Sequence, residues 1–364
     1  MRTKRQLLFD RLYYGFELDI HRFFFNLQGR RAMRGVKFDR AFYRAYREEV
    51  VPYWRRFGIK PKLHWVKQCY LRQGVVDPRN IPVDVFYRYI DPYFNNRIYT
   101  RPMNDKNLHH LFFPEVKRPE TVFKYIDGLC CEDDLTPISP EEARARLARA
   151  GQYIIKPARD TGAGADIAFF DGPLSPADAD SLLGKYKSVD FIVQRVVAQH
   201  PDMAHFNASS LNTLRVITLV FHGKAHLLSA IIRIGHPGSR VDNVSLGGYQ
   251  VSILPDGTLD KLAYTHQGGK ERFVEQNEAG QRFEGFAIPS WDKVRATALD
   301  LALRLPHLKL IGWDFSVDEN GDVILIELNT EAGQNQETCG PTFMDMTDEV
   351  LTEVFADKKK RLRL

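Results

Sequence analysis

Three oxygen-bearing side chains near the end of the chain are spaced for metal chemistry: Asp314, Glu327 and Asn329. Glu327 and Asn329 lie two positions apart in an otherwise apolar run, and side chains alternate faces along a strand, so both point the same way. A buried carboxylate is costly unless it is paired or bound to a cation. Carboxylate and amide oxygens are the ligands that Mg²⁺ prefers. The set therefore favours a magnesium site over polar residues that face solvent on a half-exposed hairpin.

Two apolar runs must position these ligands, residues 311–317 and 323–328. They are separated by the sequence DENGD, in which the Asn-Gly pair tolerates the positive φ of a tight turn. The pattern predicts a β-hairpin with Asp314 on its first strand. Asp314 then faces Glu327 if the two strands pair in the matching register.

A glycine-rich stretch suited to phosphate binding lies in the middle of the chain. A predicted strand over 153–156 ends in Lys156 and runs into the sequence PARDTGAGA, after which 166–170 is predicted as a second strand. Glycines expose backbone N–H groups to an anion, and the lysine adds positive charge. A plain glycine-rich hairpin is the alternative. The stretch is not a P-loop, because GxxxxGK[ST] is absent from the chain, and a dinucleotide-binding GxGxxG should open a helix.

Three further basic residues occupy positions where an anion would favour them. Lys106 falls in the first turn of a predicted helix capped by Asp105, where the helix dipole disfavours a cation unless an anion lies nearby; an ordinary surface lysine is the simpler interpretation. Arg215 is flanked by apolar strand residues, and a buried guanidinium requires an anionic partner. Arg233 lies on the return strand, which leads into the polar, glycine-rich loop 240–249.

Helical and strand patterns around these residues predict a mixed fold. Residues 138–150 begin with a serine cap, a proline and two glutamates, which indicates a short helix. The periodicity predicts further helices at 174–186, 291–305 and 346–363, strands at 190–197, 209–220 and 225–234, and a hairpin within 250–290.

The first 60 residues combine positive charge with large aromatic side chains. They hold 15 Lys and Arg against 6 Asp and Glu, a balance of +9, whereas the remainder holds 36 against 40. We expect two or three amphipathic helices whose aromatic face packs on the main body. Docking on anionic lipid is an alternative, and nucleic-acid binding ranks last because no nucleic-acid motif accompanies the charge. The aromatic residues are Phe9, Tyr13, Tyr14, Phe16, Phe23, Phe24, Phe25, Phe42, Tyr43, Tyr46, Tyr53 and Trp54.

The whole-chain composition excludes several classes of protein. The 364 residues, 44% hydrophobic and 27% charged, are typical of a globular protein of two or three domains. No apolar run approaches the roughly 20 residues of a membrane span, and the basic N-terminus lacks the features of a secretory signal. The four cysteines show no metal-ligand spacing, and the adjacent Cys130 and Cys131 make a poor disulfide pair, so a reduced, cytoplasmic setting is expected.

These elements, in this order, resemble the ATP-grasp superfamily, and more narrowly its sugar-transfer-associated branch, over roughly residues 40–350. The most specific parts are the carboxy-terminal ligand set and Lys156 with its glycine loop. The resemblance implies an α+β fold in which two α+β subdomains clasp ATP, preceded here by an N-terminal helical extension. It divides the chain into a basic, aromatic helical extension (1–75), a proline-rich connector with the first ATP lysine (76–125), a small subdomain with the glycine loop (126–200) and a large subdomain with the Mg²⁺ site (201–364).

The resemblance also implies a role for each candidate residue. It assigns two lysines and the glycine loop to the phosphates, a hinge to adenine, an acid to the ribose, two arginines to the transferred phosphoryl group and the carboxy-terminal set to magnesium. The nucleotide-binding residues are then Lys106, Lys156, Asp160, Thr161, Gly162, Gly164, Gln194, Arg195, Val197, Asp202 and Asn243, the catalytic residues Lys156, Arg215 and Arg233, and the metal ligands Asp314, Glu327 and Asn329.

The activity that the resemblance implies is an ATP- and Mg²⁺-dependent carboxylate–amine ligase working through an acyl phosphate, on a sugar acid or amino acid in polysaccharide or natural-product biosynthesis. No Ser/His/Asp or Cys/His pattern competes with it. A kinase using the same ATP site is the alternative. A scaffold that docks through its basic helices onto an anionic membrane or a glycosyltransferase is a third, but such a protein should have lost its metal ligands.

Overall fold

The computed structural model of the chain describes residues 4–159, 166–267 and 270–356. It contains two antiparallel β-sheets with helices packed around them, preceded by a helical N-terminal region. The α+β fold predicted from the sequence is therefore confirmed. Within the described residues, no helix combines the length and the apolar character needed to cross a bilayer.

The helices and strands follow in this order along the chain. The helices are α1 (Lys4–Ala32), α2 (Arg40–Ala45), α3 (Val51–Arg55), α4 (Leu63–Gln73), α5 (Val83–Val85), α6 (Asp91–Phe94), α7 (Arg97–Met103), α8 (His109–Phe112), α9 (Pro140–Leu147), α10 (Pro176–Tyr186), α11 (Pro201–Ala204), α12 (Trp291–Leu303), α13 (Gln336–Cys339) and α14 (Thr347–Ala356). The strands are β1 (Thr121–Ile126), β2 (Leu129–Cys131), β3 (Pro137–Ile138), β4 (Gly151–Pro157), β5 (Ala168–Gly172), β6 (Phe191–Arg195), β7 (Thr213–Phe221), β8 (Lys224–Ile234), β9 (Tyr249–Ile253), β10 (Leu259–Gln267), β11 (Lys270–Val274), β12 (Leu310–Val317) and β13 (Val323–Asn329).

The two sheets divide the chain between them. The smaller sheet has the strand order β3-β2-β1-β6-β4-β5, and α9 and α10 cover it to form one apolar core. The larger sheet has the order β11-β10-β9-β8-β7-β12-β13. Since successive strand residues alternate faces, Ile311 and Trp313 pack towards α12, whereas Leu310 and Leu219 pack towards the N-terminal helices and α14. The larger sheet is therefore buried between two helical layers.

Local sequence signals explain the elements that carry the site. The β12–β13 hairpin forms at the predicted turn, where Asp318 Oδ1 accepts hydrogen bonds from the backbone N–H groups of Asn320 and Asp322 and Gly321 adopts φ 78°. The predicted helix over 138–150 is α9, and Ser139 caps it by accepting from the Glu142 N–H at 3.1 Å. Both predictions are confirmed.

The N-terminal region differs from the expected packing. The aromatic residues of α2 and α3 do pack, with Phe42 and Trp54 fully buried. Of those along α1, Phe25 stacks on Tyr87, but Phe9, Phe16 and Phe23 are each 65–69% exposed. The expectation that the aromatic face of these helices packs on the main body therefore holds for α2 and α3 and was wrong for most of the aromatic residues of α1, because α1 contacts the protein through a different side.

The chain that follows β13, residues 330–336, is fastened to the N-terminal half of the protein. Asn95, which is completely buried, donates to the carbonyls of Leu310 and Thr330 at 2.7 Å and accepts from the Leu310 N–H. Gln336 exchanges hydrogen bonds with the backbone of Ile81 in both directions, at 2.7 and 3.0 Å. The segment next to the candidate metal ligands is thus held by residues more than 200 positions away in the sequence.

Candidate active site

A row of polar side chains crosses five neighbouring strands of the larger sheet. Glu327 on β13 pairs with Asp314 on β12, which pairs with Arg215 on β7. Two residues earlier on β7, on the same face, Thr213 pairs with Arg233 on β8, and Arg233 pairs with Gln250 on β9. The register condition stated for the hairpin is met, so the sheet itself brings these groups together. The row comprises Glu327, Asp314, Arg215, Thr213, Arg233 and Gln250.

Asp314 is the electrostatic centre of this row. Its carboxylate accepts from Arg215 Nη2 at 3.0 Å and lies 2.7 Å from Arg233 Nη2. Burial alone would raise the pKa of Asp314, but the two guanidinium groups outweigh it and hold the pKa below the ordinary value. Asp314 is therefore ionised, and the anionic partner expected for a buried Arg215 is supplied by the protein.

Arg233 shares its charge with a second carboxylate. Its Nε lies 3.8 Å from Asp242 Oδ2, and Thr213 Oγ1 donates to the same Asp242 oxygen. Burial raises the pKa of Asp242, and Arg233 opposes that rise. Arg233 is thus held between Asp314 and Asp242, which fixes the direction in which its guanidinium faces.

Two lysines approach the row from the side of the smaller sheet. Lys106 lies in a single 3₁₀ turn that Asp105 caps, as predicted, by accepting from the Asn107 N–H at 3.0 Å. The Lys106 N–H donates to the carbonyl of Ala158, which follows β4, and its Nζ lies 3.0 Å from Glu327 Oε2. This turn therefore joins the end of β4 to the acid row.

Lys156, near the end of β4, is 7% exposed. Burial, and after it the neighbouring Lys106, lower the pKa of Lys156 to about 8, and Glu327 partly opposes them. Lys106 and Lys156 repel each other in this buried position, and an anion bound between them would stabilise both charged side chains.

The polar row and the two lysines border one cleft of about 460 Å³ between the sheets. This volume lies within the roughly 300–1,000 Å³ typical of small-molecule sites. Five cationic side chains line the cleft against three carboxylates, so it carries an excess of positive charge. Apolar side chains form the remaining walls. The charged lining residues are Lys106, Lys156, Arg215, Arg233, Arg240, Asp242, Asp314 and Glu327, and Asn243 and Asn329 also line the cleft.

The candidate hinge lies beside the cleft. Gln194 is 6% exposed on β6 and borders a small cavity that also touches Lys106 and Lys156. Its Nε2 donates to the Pro119 carbonyl, whereas its buried Oε1 has no hydrogen-bond partner. A buried acceptor without a partner is costly unless a ligand or water supplies a donor. Gln194 is thus positioned to accept from a bound molecule.

Other sequence-predicted residues lie elsewhere. Arg195 forms an ion pair with Glu120 at 3.2 Å, and neither it nor Val197 lines the cleft. Asp202 is in the first turn of α11 with its side chain 62% exposed, and it does not line the cleft either. The predicted glycine-loop residues Asp160, Thr161, Gly162 and Gly164 are outside the described residues.

The donor set suits a hard divalent cation. In the described part of the chain no three His, Cys, Asp or Glu side chains cluster to hold a metal, so a cation here depends on the mixed set of Asp314, Glu327 and Asn329. Asn329 Nδ2 donates to Asp314 Oδ2 at 3.3 Å, and Glu327 pairs with Asp314 across the hairpin, so the three residues lie together. Their carboxylate and amide oxygens fit Mg²⁺.

Sequence reasoning missed several residues of the cleft. Thr213, Asp242, Arg240 and Gln250 were not among the candidates, although all four line it. The alternation of strand faces could have identified Thr213 from Arg215. Loop 240–249 was recognised as polar, but its contacts depend on the β7–β8 register, which the sequence does not give.

Comparison with known proteins gives one family match. Residues 180–342 match the model of the family described as sugar-transfer associated ATP-grasp. No curated protein matches the chain.

Several solved structures are similar at low sequence identity. D-alanyl-alanine synthetase A from Vibrio cholerae is 15% identical with a TM-score of 0.40, over 70% of this chain and 64% of that one. Biotin carboxylase from Campylobacter jejuni is 13% identical with a TM-score of 0.41, over 70% and 46%. L-amino acid ligase from Bacillus licheniformis is 11% identical with a TM-score of 0.36, over 69% and 48%. The match spans less than two thirds of each of these three proteins.

Proposed function

Because residues 180–342 match the model of the sugar-transfer associated ATP-grasp family, we propose that this chain is an ATP- and Mg²⁺-dependent ligase that joins a carboxylate to an amine. The observation that carries the proposal is the polar row of the larger sheet, which faces Lys106 and Lys156 across a cleft with excess positive charge. A triphosphate and a carboxylate are both anions, and this arrangement would bind both.

Asp314, Glu327 and Asn329 would hold Mg²⁺, which supplies charge neutralisation for the β- and γ-phosphates. In the structure, Lys106 and the two arginines pair with the two acids of this set, Glu327 and Asp314. A phosphate group brought between Lys106 and Lys156 would stabilise the charged form of Lys156, because a nearby anion raises a lysine pKa. The buried Gln194 Oε1 would accept from the exocyclic amine of adenine.

The chemistry needs no nucleophile from the protein. The substrate carboxylate attacks the γ-phosphorus and ADP leaves, which gives an acyl phosphate. The amine then attacks the acyl carbon, inorganic phosphate leaves, and the nitrogen loses a proton to give the amide. Arg215 and Arg233 would stabilise the charge on the transferred phosphoryl group. The family resemblance assigns the glycine segment Asp160–Gly164 to the phosphates, and exclusion of water protects an acyl phosphate from hydrolysis.

The family description and the cationic cleft support a narrower proposal for the substrates. The carboxylate would come from a sugar acid or an amino acid, in polysaccharide or natural-product biosynthesis. The ligase would also make a peripheral contact with a membrane or a glycosyltransferase through its N-terminal helices.

A phosphate-release screen tests the function. Uronic acids and amino acids are supplied in pairs with ATP and Mg²⁺, and products are identified by mass spectrometry. We expect ADP, free phosphate and an amide when both a carboxylate and an amine are present. Glu327→Ala should abolish turnover, whereas Glu319→Gln, an exposed acid in the turn of the same hairpin, should retain it.

Two outcomes would count against the ligase. A stable phosphorylated product formed from a single acceptor would identify a kinase. Turnover retained in Glu327→Ala would remove the assignment of the metal ligands.

A further inference from the structure

Helix α1 exposes a continuous apolar stripe. Its members recur every third or fourth residue, which places them along one side of the helix, and each is 38–69% exposed. Taking about 200 Å² for a whole aromatic side chain, the five aromatic members leave on the order of 600 Å² of apolar surface in contact with water. This reaches the upper end of the largest patch on a typical monomer. The stripe comprises Leu8, Phe9, Leu12, Tyr13, Phe16, Ile20, Phe23 and Phe24.

A different side of α1 attaches the helix to the protein. Leu18 is 4% exposed there, and Arg22 and Asn26 both donate to the buried Asp84 at 3.2 Å. Phe25 stacks on Tyr87 with ring centroids 5.1 Å apart. The position of α1 is therefore fixed by specific contacts, and the stripe is the side that these contacts leave outward.

Basic residues mark both ends of the stripe. Arg30, Arg31 and Arg34 are exposed just beyond its carboxy-terminal end. Arg2, Lys4 and Arg5 precede it in the sequence. An apolar stripe rich in Phe, Tyr and Leu with basic flanks is the pattern of a helix that lies in the boundary between headgroups and acyl chains. Each Lys or Arg near an anionic leaflet adds to the attraction.

We propose that α1 docks the protein onto an anionic lipid bilayer, with the stripe inserted at the interface and the flanking arginines against the headgroups. A second copy of the chain fits less well. Parallel pairing of two stripes brings Arg30, Arg31 and Arg34 against the same residues. Like charges would meet there, whereas anionic lipid complements them.

The stripe is separate from the cleft, because no residue of the stripe lines the cleft. Docking and catalysis can therefore be altered independently, and the proposal stands whether or not the ligase activity does.

Vesicle co-sedimentation of the full chain tests the proposal. The probes are vesicles of phosphatidylcholine alone and of phosphatidylcholine with phosphatidylserine. We expect binding to the anionic vesicles, weakened at high salt, and at least tenfold weaker binding of Phe16→Ala/Phe23→Ala. The matched control is His21→Ala/Gln28→Ala, at two exposed polar positions of the same helix, which should bind as the wild type does.

A charge variant and a measurement of molecular mass distinguish docking on anionic lipid from pairing with a second copy of the chain. Arg30→Gln/Arg31→Gln should reduce binding to anionic vesicles several-fold and leave the circular dichroism spectrum unchanged. Equal vesicle binding by the wild type and by Phe16→Ala/Phe23→Ala would overturn the proposal. So would an absence of vesicle binding together with a dimer, detected by light scattering, that the two phenylalanine substitutions abolish.

Discussion

At Asp314, stability and chemistry depend on the same atoms. Its side chain is 3% exposed and neutralises two guanidinium groups that have lost most of their water. Glu327, its neighbour across the hairpin, is 24% exposed and forms an ion pair with Lys106. The two acids would share a metal ion, yet the fold depends on them to different degrees.

Substitution of these two acids should separate the roles. We expect Asp314→Asn to lower the free energy of unfolding by roughly 3 kcal/mol, because Arg215 and Arg233 stay buried without their carboxylate. Glu327→Gln should lower it by less than Asp314→Asn does, because Glu327 stays partly exposed to water. Both should abolish ATP-dependent phosphate release. Urea unfolding followed by circular dichroism measures the difference, and equal destabilisation by the two variants would contradict it.

Lys156 predicts a pH dependence of stability. Its pKa is about 8 in the folded protein, against about 10.4 for an unfolded lysine. Between these values the unfolded chain holds a proton that the folded protein has released, so this group makes the free energy of unfolding rise as the pH increases. Below about pH 8 the folded protein holds the Lys156 amine in its charged form, and burial of that charge lowers the free energy of unfolding.

The test compares variants in the absence of nucleotide. The contribution of Lys156 to the rise in the free energy of unfolding between about pH 8 and about pH 10.4 should disappear in Lys156→Met. It should persist in Lys187→Met, since that lysine is exposed beyond α10. A difference between wild type and Lys156→Met that stays constant over the range would disprove the shifted pKa.

At the scale of elements, the sequence predicted what local chemistry decides. The hairpin follows from its Asn-Gly turn, α9 from its serine cap, and the shared face of Glu327 and Asn329 from strand alternation, whereas the pairing of Asp314 with Glu327 also required the strand register. The packing of α1 was not predictable, because periodicity shows that a helix has an apolar side but not whether a partner covers it. Asn95 was also missed, since its partners lie 215 and 235 residues away and nothing nearby marks it.

Asn95 joins α6 to the hairpin and gives a prediction at this scale. Asn95→Ala should lower the free energy of unfolding by roughly 3 kcal/mol, because buried backbone groups of Leu310 and Thr330 lose their partner. The control is Asn96→Ala, which removes the cap of α7 and should cost about 1 kcal/mol. Chemical denaturation measures both, and an Asn95→Ala variant no less stable than Asn96→Ala would contradict the role.

At the scale of the whole molecule, the cleft is where the two sheets meet. Lys156 comes from the smaller sheet, and Asp314 and Glu327 come from the larger one. A ligand that contacts both sides binds the folded protein and not the unfolded chain, so it should stabilise both sheets together.

Mg²⁺-ATP should therefore raise the melting temperature in a single transition. The free energy of unfolding should rise by about 2.7 kcal/mol when the concentration of Mg²⁺-ATP is 100 times its dissociation constant. AMP, which lacks the β- and γ-phosphates, should give a smaller shift, and Glu327→Gln should reduce the shift with Mg²⁺-ATP. Differential scanning fluorimetry measures these shifts, and equal stabilisation by AMP and ATP would argue against phosphate binding by the lysines.

The hydrogen bonds of residues 330–336 also bear on where this protein can be cut. A truncation to residues 180–342 would keep every proposed magnesium ligand but discard Ile81, Asn95 and Asn104, which hold the neighbouring backbone in place. Similarity boundaries are thus not folding boundaries here. A recombinant fragment meant to retain an intact metal site must extend upstream past Gln73, whose amide donates to the Gln336 carbonyl.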